Sequence, residues 1–201
     1  MRHVFEYPEN VAGTWNTFFQ NENPIVLEVG CGTGTYTIGL AQRFPEKNFI
    51  GIDIKGARMW HGATQSQEQG LENVAFLRTQ IEKINTYFAP EEISEIWITF
   101  PDPQPKKSKI SKRLTSNRML DLYTQFLKKE AIVHLKTDNE MLFDFSVEVA
   151  QERGYSIDVL TKDLYQESFV DDILSIKTVF ETKFLAMGIP IKYLRYRISN
   201  H

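Results

Sequence analysis

Cysteine is almost missing from this chain of 201 residues: Cys31 stands alone. That excludes a disulfide-stapled scaffold and a zinc module built on thiolates. No apolar run approaches the ~18 residues of a membrane-crossing helix. The first residues, Met1-Arg2-His3-Val4-Phe5-Glu6, lack the apolar stretch of a secretory signal, so a reducing cytoplasm is the expected compartment. His3, His61, His134 and His201 are scattered without ligand spacing, and no metal site is expected. Repeats, low-complexity tracts and Gly/Ser linkers are absent too. One domain over 1–201 is therefore expected, with a short N-terminal segment at 1–22 and a basic loop at 101–115. Nothing in the pattern sets an oligomeric state.

What is present is aromatic and unevenly charged. The 14 Phe, 8 Tyr and 3 Trp can offset the ordering entropy of a core, which excludes a disordered chain. The net charge of −3 suggests no polyanionic partner. Yet residues 106–118 hold Lys106, Lys107, Lys109, Lys112, Arg113 and Arg118 without an acid, so the rest of the chain carries −9. An acidic body with one dense basic segment concentrates its field at one place. Taken alone, such a run is more often a solvated loop than a binding surface.

Short β-type runs alternate with helical ones. Ile25–Val29, Asn48–Ile54, Val74–Leu77, Ile96–Phe100 and Ala131–Lys136 read as buried strands. Thr35–Phe44, Lys55–Gln69, Asn117–Lys129 and Asp138–Arg153 read as helices. Tyr155–Leu160 and Ile191–Ile198 read as two last strands, the second alternating in an edge-like or antiparallel manner. Thr178–Met187 fits an amphipathic helix lying on the sheet. The expected class is α/β: a doubly wound, mostly parallel, Rossmann-like sheet flanked by helices, with an antiparallel last strand. Ligands in such sheets bind beyond the carboxyl ends of the strands.

The first strand runs into Glu28-Val29-Gly30-Cys31-Gly32-Thr33-Gly34. Its glycines allow close backbone approach to a ligand, but position 35 is Thr35, so the dinucleotide spacing G-x-G-x-x-G is not met. Glu28 would repel a pyrophosphate and favour a cation. S-adenosylmethionine, with its sulfonium and ammonium, suits such a site; a glycine turn with Glu28 in a surface ion pair is the plainer alternative. Asp53, 19 residues after Gly34, stands where these sheets place an acid for ribose hydroxyls, although alone it would read as a helix cap. Gln80, past the third strand, can meet an adenine edge.

Beyond the fourth strand lies Phe100-Pro101-Asp102-Pro103-Gln104-Pro105-Lys106-Lys107. Three prolines in five positions make a stiff extended arm that holds Asp102 opposite the expected sulfonium; the alternative is a proline-rich turn. The basic run follows directly and would bring a polyanion's backbone beside the methyl donor. Asp138 closes the fifth strand, either as a site residue or as the N-cap of the next helix.

The glycine loop and the Pro-Asp-Pro arm, with His134-Leu135-Lys136-Thr137-Asp138-Asn139 and Thr182-Lys183-Phe184-Leu185-Ala186-Met187-Gly188, resemble the bacterial tRNA (guanine-N7-)-methyltransferases from about Trp15 to the C-terminus. The resemblance implies methyl transfer from S-adenosyl-L-methionine to N7 of guanine 46 in the tRNA variable loop, leaving S-adenosyl-L-homocysteine. It implies that Glu28, Gly30, Gly32, Gly34, Asp53, Gln80 and Asp102 border the donor, with Asp102 catalytic. It further implies that Lys106, Asp138, Thr182, Lys183, Phe184 and Leu185 contact the substrate, and that Ser108, Lys109, Ile110, Ser111, Lys112 and Arg113 contact the RNA. Gln104 stands where the family usually has tryptophan. Two other readings remain: a class I methyltransferase acting on a small molecule or protein, and a non-catalytic tRNA-binding module.

Overall fold

The computed structural model describes residues 3–198. Met1, Arg2 and 199–201, His201 among them, lie outside the described residues. A short strand β1 (Val4–Glu6) and a helix α1 (Trp15–Phe19), neither expected, come first. They are followed by β2 (Ile25–Val29), α2 (Thr35–Arg43), β3 (Asn48–Asp53), α3 (Gly56–Glu68), β4 (Val74–Arg78) and β5 (Ile93–Thr99). Next come α4 (Asn117–Tyr123), β6 (Leu127–Thr137), α5 (Glu140–Glu152), β7 (Ser156–Thr161), α6 (Val179–Ala186) and β8 (Lys192–Ile198).

The eight strands form one sheet in the order β1-β4-β3-β2-β5-β6-β8-β7. Pairings are parallel from β1 to β6, and β8 runs antiparallel to both β6 and β7. The architecture is the expected doubly wound α/β sheet. Two details differ. β8 is not an edge, because β7 folds back outside it. The helix expected over Asn117–Lys129 stops at Tyr123, because Leu127 pairs with Ile93 and draws Lys128-Lys129-Glu130 into a bulged start of β6. Tertiary pairing there outweighs the helix propensity of Lys and Glu; Glu130 has a left-handed φ of 59°.

Both faces are covered. One cluster packs Leu27, Ile50, Ala75, Ile96 and Val133 under α4, α5 and α1; the other packs Val26, Phe49, Phe76 and Trp97 under α2 and α3. Winding proceeds outward in both directions from the β2–β5 pair, where Glu28 stands beside Trp97. The strand order reverses here, so the chains leaving β2 and β5 part company around a crevice. The glycine loop and the proline arm are those two chains.

Candidate active site

On one wall the backbone makes the site. The amides of Gly30 and Cys31 donate to Ile52 O at 2.8 and 3.0 Å, pinning the loop after β2 onto β3. Gly34 adopts φ +74°, and a Cβ there would lie 2.4 Å from the Phe76 ring, so only glycine fits. Gly32 also has a positive φ but faces open space. Asp53 completes the loop: its Oδ2 accepts from Gly32 N at 2.9 Å and its Oδ1 from Lys55 N at 2.8 Å. It is therefore not the cap of α3, which begins one residue beyond Lys55.

Glu28, expected at the donor, is buried. It is 3% exposed and lies beneath the loop, off the cavity wall. Oε2 accepts from the amide and hydroxyl of Thr37 on α2, and Oε1 accepts from Thr99 Oγ1 at 2.6 Å on β5. β2 is a central strand, so a side chain at this position is walled in on both sides. Burial pushes the Glu28 carboxyl up to about 7; the bonds from Thr37 and Thr99 oppose the shift and the charge of Asp53 adds to it. Gln80, expected at an adenine edge, follows β4 by two residues. It is exposed, precedes a 3-10 turn (Ile81–Thr86), and lies off the cavity wall.

Side chains make the other wall. The arm leaves β5 through Phe100 and passes Gln104, both with left-handed φ (49° and 45°), strained conformations for residues with side chains. Asp102 is exposed at the cavity, with Oδ1 accepting from Gln104 N at 3.0 Å. Arg113, expected to contact RNA, is buried against the arm. It is 5% exposed, its guanidinium donates to Pro103 O and Gln104 O, and it lies 4.4 Å above the Phe145 ring. The reason is geometric: the 3-10 turn Lys107–Lys112 folds the chain back so that residue 113 meets the arm's free carbonyls. The remaining basic residues of that turn, with Lys106, Ser108, Ile110 and Ser111, are exposed.

Asp138 lines the cavity, and the N-cap of α5 is its neighbour Asn139, whose side chain accepts from Leu142 N. From α6 and its cap, Thr178, Val179, Phe180 and Phe184 reach the cavity. Thr182, Lys183 and Leu185 do not: the Thr182 and Lys183 side chains are exposed, and Leu185 packs against the second core cluster. Nor is α6 amphipathic as expected, since its one buried residue is Glu181.

These walls enclose about 620 Å³, within the ~300–1,000 Å³ of small-molecule sites. The cavity holds three acids (Asp53, Asp102, Asp138) and two bases, Lys55 and Arg58. Sequence reasoning missed Lys55, Arg58, Thr178 and Phe180; Lys55 and Thr178, each flanking a helix start, were the available signals. A glycine loop that lines the cavity through Gly30 and Gly32, with the Asp53 carboxylate beside it, fits an adenosine-bearing cationic donor. Among the described residues, no three or more His, Cys, Asp or Glu are grouped to hold a metal ion, and no helix is long and apolar enough to cross a membrane.

Known proteins with similar sequences and folds agree. A family model described as "Putative methyltransferase" matches residues 22–194. The chain is 52% identical over 203 residues to a tRNA (guanine-N(7)-)-methyltransferase of Bacteroides fragilis, covering 96% of this chain and 80% of that protein. It is 37% identical over 187 residues to one of Clostridium acetobutylicum, covering 93% and 87%. Among solved structures, the 16S rRNA methyltransferase KamB superposes over 100% of both chains with a TM-score of 0.74 at 14% identity. A 16S rRNA (adenine(1408)-N(1))-methyltransferase from Catenulisporales acidiphilia, solved with SAM, has a TM-score of 0.62 at 14% identity over 92% of this chain and 90% of that one. The fold is thus that of S-adenosylmethionine-dependent methyltransferases, and by sequence the chain belongs to the tRNA (guanine-N7-)-methyltransferase family.

Proposed function

We propose that this enzyme methylates N7 of guanine 46 in the variable loop of tRNA, in the cytoplasm. One observation carries the reading: the glycine loop after β2 and the Asp102 arm after β5 wall a single cavity, and the basic turn continues from that arm. A donor cradle and a cationic landing surface are therefore contiguous.

S-adenosylmethionine, when bound, supplies an electrophilic methyl group on a sulfonium. Gly30, Gly32 and Asp53 bind it, with Asp53 keeping lone pairs for ribose hydroxyls beyond the two amides it accepts. Guanine N7 carries no proton, so attack needs in-line placement before it needs a base. The methylated ring is cationic, and Asp102 stabilises that charge by accepting from guanine N1–H and N2–H₂. Its Oδ2 has no protein partner among the described residues and is available for this. Phe180 and Phe184 offer ring faces to a splayed-out base, and Asp138 and the Thr178 hydroxyl offer polar contacts at its edges. Lys106, Lys107, Lys109 and Lys112 meet phosphates, without base specificity.

Incubation with methyl-labelled S-adenosylmethionine and bulk tRNA, followed by mapping of the labelled base, tests this directly. Label at guanine N7 is the expected result. Label on protein or a small molecule without tRNA, or tRNA binding without label, would replace the reading by one of its two rivals.

A further inference from the structure

Helix α6 forms much of the substrate wall, yet its apolar hold is slight: only Phe184 and Leu185, both half-buried, pack against the second core cluster. Its one buried side chain is a carboxylate, Glu181, while Val179 and Phe180 are 71% and 53% exposed. One aromatic contact, Phe184 against Phe100 with centroids 6.0 Å apart, ties the helix to the arm. A further tie is ionic. Glu181 Oε1 lies 2.6 Å from Lys136 Nζ, and neither side chain is exposed at all. Lys136, at the carboxyl end of β6, also donates to Leu174 O at 2.9 Å and Ile176 O at 3.3 Å, and sits 5.3 Å from the Tyr36 ring. Tyr165 donates its hydroxyl to the same Glu181 oxygen at 2.6 Å. Glu181 and Thr178 close a capping box at the first turn of α6. One carboxylate thus joins a strand end, the strap before α6, and the helix turn that reaches the cavity.

Burying two charges rarely repays itself as stability, since a well-packed apolar pair often does as well. Its better-attested use is to fix one arrangement among several. We infer that Lys136 and Glu181 are a positioning pair for the substrate nucleotide: they fix α6 over the cavity so that Thr178, Phe180 and Phe184 meet the base, and leave the donor wall independent of them. The identity of that nucleotide rests on the function proposed above; what holds α6 does not.

The test compares full-length Lys136→Met, Glu181→Gln and the double variant by hydrogen exchange, donor binding and tRNA kinetics. Lys136→Met speeds amide exchange over 179–186 by about tenfold or more. It leaves residues 30–34 and donor affinity unchanged, and lowers kcat/KM for tRNA by about a hundredfold, the order expected when a positioning element shifts by ~1 Å. The double variant strands no charge; it recovers the thermal midpoint but not the kcat/KM, which separates placement from stability. If Lys136→Met does not fold, the double variant carries the test. Wild-type exchange over 179–186, parallel loss of donor affinity and kcat/KM, or a double variant with wild-type kcat/KM would each overturn the inference. Failure of the wild-type protein to methylate guanine would instead sink the proposed function, and the exchange data would still decide what holds α6.

Discussion

The two walls of the cavity are built by different means. The donor wall is backbone: glycines at left-handed φ, amides pinned to the next strand, and a central-strand carboxylate locked under the loop by two threonines. The substrate wall is side chains on short or irregular segments, held by polar clamps: Arg113 on the arm's carbonyls and Lys136 on Glu181. A wall that presents one fixed surface to a small molecule can be part of the core. On the function proposed above, the facing wall must admit a base from a large RNA, and it is anchored at only a few points.

That contrast can be broken most severely at Gly34. Gly34→Ala places a Cβ against the Phe76 ring in a left-handed conformation; strain and overpacking together should cost about 3–4 kcal/mol of stability. Gly32→Ala, with open space around it, should cost about 1 kcal/mol and mainly weaken donor binding. Denaturant unfolding checks both, and equal losses would contradict a loop fitted to the core at one glycine and to a ligand at another.

Glu28 tests the same wall through pH. Its folded pKa is raised, from 4.5 to about 7, so its contribution to stability is complete below about 4.5 and is lost as pH rises through 7. Wild-type protein should lose roughly 3 kcal/mol relative to Glu28→Gln between pH 5 and pH 8. Parallel stability curves for the two proteins would show that Glu28 is not buried as described.

On the substrate wall, Asp102→Asn keeps the shape and removes the charge. It should lower kcat by about 10²-fold, the loss of one strong electrostatic stabiliser, with donor affinity unchanged. Near-wild-type turnover would remove Asp102 from the chemistry. The smallest effect separates the two kinds of basic residue. Changing Lys107, Lys109 and Lys112 to Ala should flatten the salt dependence of tRNA binding by about 2 in log–log slope. Arg113→Met should leave that slope alone and lower kcat by freeing the arm. Filter binding at several salt concentrations, with kinetics alongside, decides it.

The same division explains what could be read from the amino acids. Apolar runs such as Ile25–Val29 and Phe49–Ile52 announce central parallel strands, and Gly30 to Gly34 announce the loop, because both obey local rules. The substrate wall depends on partners distant in sequence. Arg113 looks like any other cation of its run until the arm's carbonyls lie ten residues back in space. The stretch around α6 meets the cavity through Thr178, Phe180 and Phe184 and not through Thr182, because residues 180 and 184, one turn apart, share a face of the helix that 182 does not. For Glu28 the sequence shows only a charge beside glycines, which suggests a ligand; that β3 and β5 bury it on either side emerges only with the sheet order.

In the proposed reaction one guanine reaches both walls at once. The most direct measurement compares an unmodified tRNA carrying guanine 46 with the same tRNA carrying adenine 46, each incubated with enzyme and methyl-labelled S-adenosylmethionine and then mapped for N7-methylguanine. Stoichiometric label at position 46 of the first and none in the second is the expected result; equal labelling of both, or label at another base, would overturn the proposed reaction.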